Sequence, residues 1–303
     1  MPGLDVLAVG HALVDVRMRV EGFPMPDMEA EILEEERGAG GSAVNVSIDV
    51  SLLGGRSGII AKIGFDGFGR LVVDELYTHQ VDTRGLRIAI GKRTGFSIVV
   101  IDREGRTAIY GYKGASEDLT PGELDTEIIR DARIVHIASL RPDTSIEAAR
   151  TARRSGITVS WDPGRRLARM GAERLASLLS NVDIVFANRI EARLLTGADD
   201  PVRAAEILAR YGPRIVVVKL GAGGALLHDK TLEKPVHRPA RPVERIVDTT
   251  GAGDAFAAGF LLCLARGCTS VEALEKGLET AALKIQCLGS HRLLGVEGCG
   301  LKA

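Results

Sequence analysis

Short apolar runs alternate with amphipathic stretches over most of the 303 residues. Runs at residues 6–9, 58–63, 134–137, 158–161, 184–187, 215–219 and 225–228 are short, and they read as strands. Between them, residues 43–53, 67–78, 145–154, 172–179, 201–211, 252–266 and 271–288 carry apolar side chains at helical spacing. Such alternation predicts a mostly parallel sheet covered by helices. Two regions depart from it. Residues 12–35 and 94–112 hold shorter β-rich runs, the second folded about Asp102-Arg103-Glu104-Gly105, a good hairpin turn. These pieces belong in a small separate sheet.

Composition narrows the function classes. A hydrophobic fraction of 45 % supports a sizeable core, and no linker divides the chain, so a single domain over residues 1–303 is expected. With 39 basic against 40 acidic residues, net charge −1, there is no electrostatic footprint for nucleic acid or an anionic membrane. No apolar run approaches the ~20 residues that span a bilayer, and the first nine residues lack the pattern of a signal peptide. A small-molecule partner and a cytoplasmic location are expected. Cys263, Cys268, Cys287 and Cys299 lack zinc-site spacing, and in a reducing compartment they read as packed or free thiols.

The most informative segment is Asp248-Thr249-Thr250-Gly251-Ala252-Gly253-Asp254, just before a long apolar helix. Backbone N–H groups of Gly251, Ala252 and Gly253 at a helix start make an anion site, reinforced by the helix dipole. A carboxylate repels phosphate, so Asp254 makes sense there as the base that takes a proton from an attacking hydroxyl. Phosphoryl transfer is the chemistry this combination serves. Earlier, Gly38-Ala39-Gly40-Gly41-Ser42-Ala43-Val44-Asn45 sets glycines against another helix start, with an amide on its first turn.

Together the two segments, Gly-Gly-x-x-x-Asn and Asp-Thr-x-Gly-Ala-Gly-Asp, resemble the signatures of the PfkB, or ribokinase-like, family of carbohydrate and nucleoside kinases. Further matches follow in order: Asp15 after the first strand, Asn188-Arg189-Ile190-Glu191, and Val218 to Ala225. The resemblance covers nearly the whole chain. It implies an α/β fold of three layers, α/β/α, with a mostly parallel central sheet and a small β-sheet lid from about residues 12–35 and 94–113. It also implies an ATP- and magnesium-dependent phosphotransferase acting on a sugar or sugar-like hydroxyl, with a nucleoside as the alternative acceptor. A non-catalytic sensor of the same fold is the remote alternative.

Roles carry over by position. Asp254 would be the base, with Gly251, Ala252 and Gly253 as the anion hole. Asp15, Gly41 and Asn45 would hold acceptor hydroxyls, since a carboxylate and an amide suit vicinal hydroxyls. Asn188 and Glu191 would sit near magnesium and phosphates, Glu191 acting through metal-bound water; the same two residues are also an ordinary helix cap. Lys219, Gly221, Gly224 and Thr249 would flank the nucleotide. The stretch 106–116 is similar to lid segments of sugar kinases, which puts Tyr110 and Tyr112 against the acceptor. Asp162-Pro163-Gly164-Arg165-Arg166 is similar to an Asp-Pro-Asn-x-Arg stretch of fructokinase-like members, with Gly164 replacing the Asn. Arg141 and Arg166 either bind a carboxylate or phosphate on the acceptor or are surface charges. Ser42 stands where ribokinases often have Lys, and Leu278 where many members of the family have an Asn. Family likeness further implies a monovalent cation such as K+ on carbonyls near Asp248 and Gly289, and a homodimer formed through the lid is compatible with its exposed sheet edges.

Overall fold

The computed structural model describes residues 3–296. Thirteen strands form two sheets: β1 Leu4–Gly10, β2 Leu13–Val20, β3 Ile32–Gly40, β4 Ser57–Gly64, β5 Asp82–Ala89, β6 Thr94–Ile101, β7 Thr107–Gly114, β8 Ala132–Ala138, β9 Thr158–Asp162, β10 Ile184–Asn188, β11 Ile215–Lys219, β12 Ala225–Asp229 and β13 Val236–Arg238. The helices are α1 Ser42–Leu52, α2 Gly67–Thr78, α3 Thr126–Arg130, α4 Pro142–Arg154, α5 Gly164–Ala168, α6 Ala176–Leu179, α7 Arg189–Thr196, α8 Pro201–Arg210, α9 Ala252–Ala265 and α10 Ser270–Lys284.

The central sheet runs β13-β12-β11-β10-β9-β8-β1-β4-β5, parallel except at β12 and β13. Its strands are apolar on both faces, as a sheet buried between helices requires. Along β1, Leu7 and Val9 enter one core with residues of α4 and α8, whereas Val6 and Ala8 enter the other with α1, α9 and α10. That is the expected three-layer α/β/α fold. The second sheet, β3-β2-β6-β7, is the lid, with Asp102 to Gly105 turning β6 into β7 through a Gly105 N–H to Asp102 carbonyl bond of 3.0 Å.

Parallel strands end on one side of the sheet, and the chemistry-bearing residues collect there: Asp162 ends β9, Asn188 ends β10 and Lys219 ends β11. One expectation fails away from this side. Cys263 and Cys268 are joined in a disulfide, and there is no free cysteine among the described residues. Gly267, at φ +93°, reverses the chain after α9 and brings the two Cα atoms within 5.3 Å. The reading of these cysteines as free thiols is therefore corrected, and with it goes one ground for a reducing location. No helix among the described residues is long and apolar enough to cross a membrane.

Candidate active site

The N-terminus of α9 is built as its glycines suggest. Gly251 caps the helix at φ +79°, where the Ser290 carbonyl occupies the space a Cβ would need. The N–H groups of Gly251 and Gly253 have no protein partner among the described residues. Ala252 differs from expectation: its N–H donates to the Thr249 carbonyl at 3.2 Å, closing the turn, so two of the three proposed donors point outward. Thr249 itself is exposed and acts here through its carbonyl.

Asp254 follows on the first turn of α9, half-buried. Asn45, on the first turn of α1, donates from Nδ2 to Asp254 Oδ2 at 2.7 Å, while its own Oδ1 is buried without a partner. Sequence reasoning assigned Asn45 to acceptor hydroxyls; in the structure its amide is engaged with Asp254, the candidate base. Burial raises the Asp254 pKa, with the Asn45 hydrogen bond opposing and the Asp162 charge adding to the rise. A carboxylate moved toward neutral pH is a stronger proton acceptor.

Lys219 stands in front of the anion hole. Its Nζ pairs with Asp162 at 2.7 Å, and it lies 3.0 Å from where a Cβ on Gly253 would sit, so a larger residue at 253 would displace it. Burial lowers the Lys219 pKa, but the Asp162, Glu191 and Asp254 carboxylates outweigh it and leave it raised. Asn188 and Glu191 form a reciprocal capping box at α7, with Asn188 Oδ1 accepting the Glu191 N–H at 3.0 Å and Glu191 Oε2 accepting the Asn188 N–H at 2.9 Å. The helix-cap reading is therefore correct, and it aims a buried carboxyl at the same cluster. Burial, then the Asp162 charge, raises the Glu191 pKa. Three carboxylates around one ammonium leave an excess of negative charge, a donor set that fits a hard divalent cation carrying phosphate and water. Gly221 and Gly224, at φ +60° and +87°, shape the turn after β11.

Candidate acceptor residues come from the lid. Asp15 on β2 accepts hydrogen bonds from Ser97 and, at 3.0 Å, from Ser290 Oγ, and its carboxylate fills the space a Cβ on Gly40 would take. Gly41, at φ +92°, turns β3 into α1. Register decides the fate of the two tyrosines. Asp15 pairs with Ser97 and Ser97 with Gly111, whereas Tyr110 and Tyr112 pair with Ile98 and Phe96. Because side chains alternate along a strand, Tyr110 and Tyr112 lie on the face opposite Asp15. Tyr112 packs on the Phe96 ring at 5.5 Å, and both are withdrawn as acceptor contacts. Lys113 takes their place on the Asp15 face.

Lys113 opens onto a pocket of about 250 Å³ lined by His11, Glu117, Ser139, Arg141 and residues 163–167. Gly164, at φ +61°, lies so close to Ser139 Oγ that no Cβ fits. Arg166 pairs with Glu117 at 2.5 Å, and Arg141 is braced by Asp143 at 2.6 Å. Burial lowers the His11 pKa, so a neutral imidazole donates from Nε2 to Glu117 at 3.1 Å. The hydrogen bond from His11 and, against burial, the one from Arg166 hold the Glu117 carboxyl at about 2. Four cations, Lys113, Arg141, Arg165 and Arg166, thus line the pocket with Glu117, and Asp143 behind Arg141 offsets one of them. Lys113 is within electrostatic reach of Asp15.

Sequence reasoning missed Asp162 as a partner of Lys219, and it missed Ser290. The first had a signal in the Asp-Pro stretch; the second lies in an irregular loop with none.

Residues 4–294 match the pfkB family of carbohydrate kinases. The chain belongs to this family. An ATP-dependent ribose-1-phosphate kinase of Halopiger xanaduensis is 40 % identical over 256 residues, covering 84 % of this chain and 83 % of that protein. A cytidine kinase of Thermococcus kodakarensis is 30 % identical, covering 92 % and 95 %. Among solved structures, Arabidopsis thaliana ribokinase complexed with ribose and ATP superposes with a TM-score of 0.86 at 26 % identity, covering 95 % of this chain and 94 % of that one. This PfkB protein is an ATP-dependent small-molecule phosphotransferase, and the sensor alternative is set aside.

Proposed function

We propose that the acceptor is a sugar that already carries a phosphate, with that phosphate in the basic pocket and a free hydroxyl delivered to Asp254. The carrying observation is the cluster of Lys113, Arg141, Arg165 and Arg166 around one pocket, with Lys113 within electrostatic reach of Asp15. Guanidinium groups bind phosphate by paired, charge-assisted hydrogen bonds. A nucleoside base would instead want a broad ring platform, and the pocket lining has no Phe, Tyr or Trp among the described residues. The name of the relative from Halopiger supports the same reading.

In the proposed reaction, Asp254 takes the proton as the acceptor oxygen bonds to the γ-phosphorus and the bond from that phosphorus to the departing ADP oxygen breaks. The N–H groups of Gly251 and Gly253, with Lys219, stabilise the charge on the phosphoryl group in flight. Asp162 and Glu191 are the residues that would hold magnesium through water. When bound, magnesium supplies charge neutralisation on the nucleotide phosphates. Gly221 leaves open space for the nucleotide beside Lys219, and Gly224 lets the turn pack against the Arg238 backbone. The exposed Ile32, Leu33, Ile109 and Tyr110 on the lid's two edge strands are the surface a second copy would cover in a homodimer.

Initial rates with ATP on ribose 1-phosphate, ribose 5-phosphate, ribose, fructose, ketodeoxygluconate, adenosine and cytidine test the acceptor. Charge-assisted hydrogen bonds are each worth about 1.5–3 kcal/mol, so a phosphorylated pentose should exceed ribose in kcat/KM by roughly a hundredfold or more. Arg166→Gln should raise KM for that acceptor and spare KM for ATP. A nucleoside or neutral sugar as best acceptor would overturn the assignment while leaving the kinase chemistry intact.

A further inference from the structure

Family likeness implies a monovalent cation on carbonyls near Asp248 and Gly289, and the residues present do not fit one. Lys284, the last residue of α10, is fully buried. Its Nζ donates to the Asp248 carbonyl at 2.8 Å and to the Cys287 carbonyl at 3.4 Å, and lies 4.0 Å from Asp248 Oδ2. A compact cation is therefore already seated where a free ion would coordinate, and a second in the same cage would be repelled. We propose that the Lys284 ammonium is a tethered replacement for the monovalent cation, a positioning residue that fixes the anion-hole loop and frees this kinase from dependence on K+.

The Asp248 carbonyl it holds immediately precedes the turn that supplies the anion hole. Asp248 also anchors that loop from its side chain, accepting the Thr250 N–H at 2.8 Å and the Gly289 N–H at 3.2 Å. Withdrawing the ammonium would leave the Asp248 carbonyl without its donor and the Asp248 carboxylate with Arg17 alone for a cation, 3.9 Å away, and the loop would relax around them. Charged groups facing Lys284 are Asp248 itself, Arg17 from β2, Asp49 from α1 and Asp254 from α9, three carboxylates against one guanidinium. Burial lowers the Lys284 pKa to about 8, and at neutral pH the ammonium form still dominates.

The test compares wild type and Lys284→Ala in chloride salts of K+, Na+ and tetramethylammonium. Wild-type turnover and melting temperature should be the same in all three. Lys284→Ala in tetramethylammonium should lose at least about tenfold in kcat, less than the 10²–10³ typical of deleting an anion-hole donor outright. Added K+ should then restore kcat saturably and raise the variant's melting temperature. Melting needs no acceptor, so an error in the proposed acceptor leaves that readout standing. If the variant folds only with K+ present, the proposal is supported. Activation of wild type by K+ overturns it, as does a variant that ignores K+ in both readouts or folds in no salt.

Discussion

At the scale of single residues, the site sets function against stability. Burial disfavours the charged form of Asp254, and the Asn45 hydrogen bond compensates in part. Asp254→Asn should therefore fold, melt no lower than wild type at pH 7, and lose about 10²–10⁴ in kcat, checked by steady-state kinetics beside a thermal scan. Asp49, one turn beyond Asn45 on α1, is the clearer strain: it is wholly buried with neither carboxylate oxygen partnered. Burial first, then the Asp254 charge, raises its pKa well above normal, and Lys284 pulls the other way. For an acid whose folded pKa is raised, the penalty is absent below the unfolded value of about 4 and grows as pH rises toward the folded pKa. Asp49→Asn should accordingly raise the melting temperature at pH 8, by about 2–4 °C per kcal/mol recovered, with the gain shrinking toward pH 4. An equal gain at both pH values would mean that charge is not the cause.

At the scale of elements, Gly40 links lid and site. It ends β3 where the Asp15 carboxylate needs the room of a Cβ, so Gly40→Ala should push Asp15 aside. The expected result is a KM for acceptor raised about tenfold or more with KM for ATP unchanged, on the scale of one charged hydrogen bond. Central strands and long helices were legible because their patterns are strong: α2 occupies residues 67–78 as expected, and β11 residues 215–219. Other elements carried no such pattern. In β5 the run Asp82-Thr-Arg-Gly interrupts apolar alternation, and β13 has only three residues. The helix expected over residues 172–179 survives only as α6, because the stretch before it makes short-range turn bonds such as Leu175 N–H to Ala172 carbonyl. The candidate catalytic segment stood out for a related reason: glycines beside Asp254 have few other uses. The tyrosines failed because residue type was read without strand register, which only β6 and β7 paired in space can supply.

At the scale of the whole molecule, contacts between distant segments join the candidate acceptor residue Asp15 to the candidate phosphate site at Gly251. Ser290 donates to Asp15 and accepts from Arg17 at 2.8 Å, both on the lid, while its carbonyl packs against Gly251. The disulfide lies outside this network. Cys263 is nine residues past Asp254, about 13 Å along the axis of α9 at 1.5 Å per residue. The loop it closes spans a sequence separation of only 5, and in the chain-entropy account so short a loop is worth about 2 kcal/mol. The turn is also held without it, by Cys268 N–H to the Cys263 carbonyl at 3.0 Å and Gly267 N–H to the Leu264 carbonyl at 2.9 Å. Replacing both cysteines with serine should then lower the melting temperature by no more than about 4–8 °C, at 2–4 °C per kcal/mol, and leave kcat unchanged. A fall in kcat at a temperature where the variant is fully folded would mean that the far end of α9 sets the geometry of its catalytic first turn.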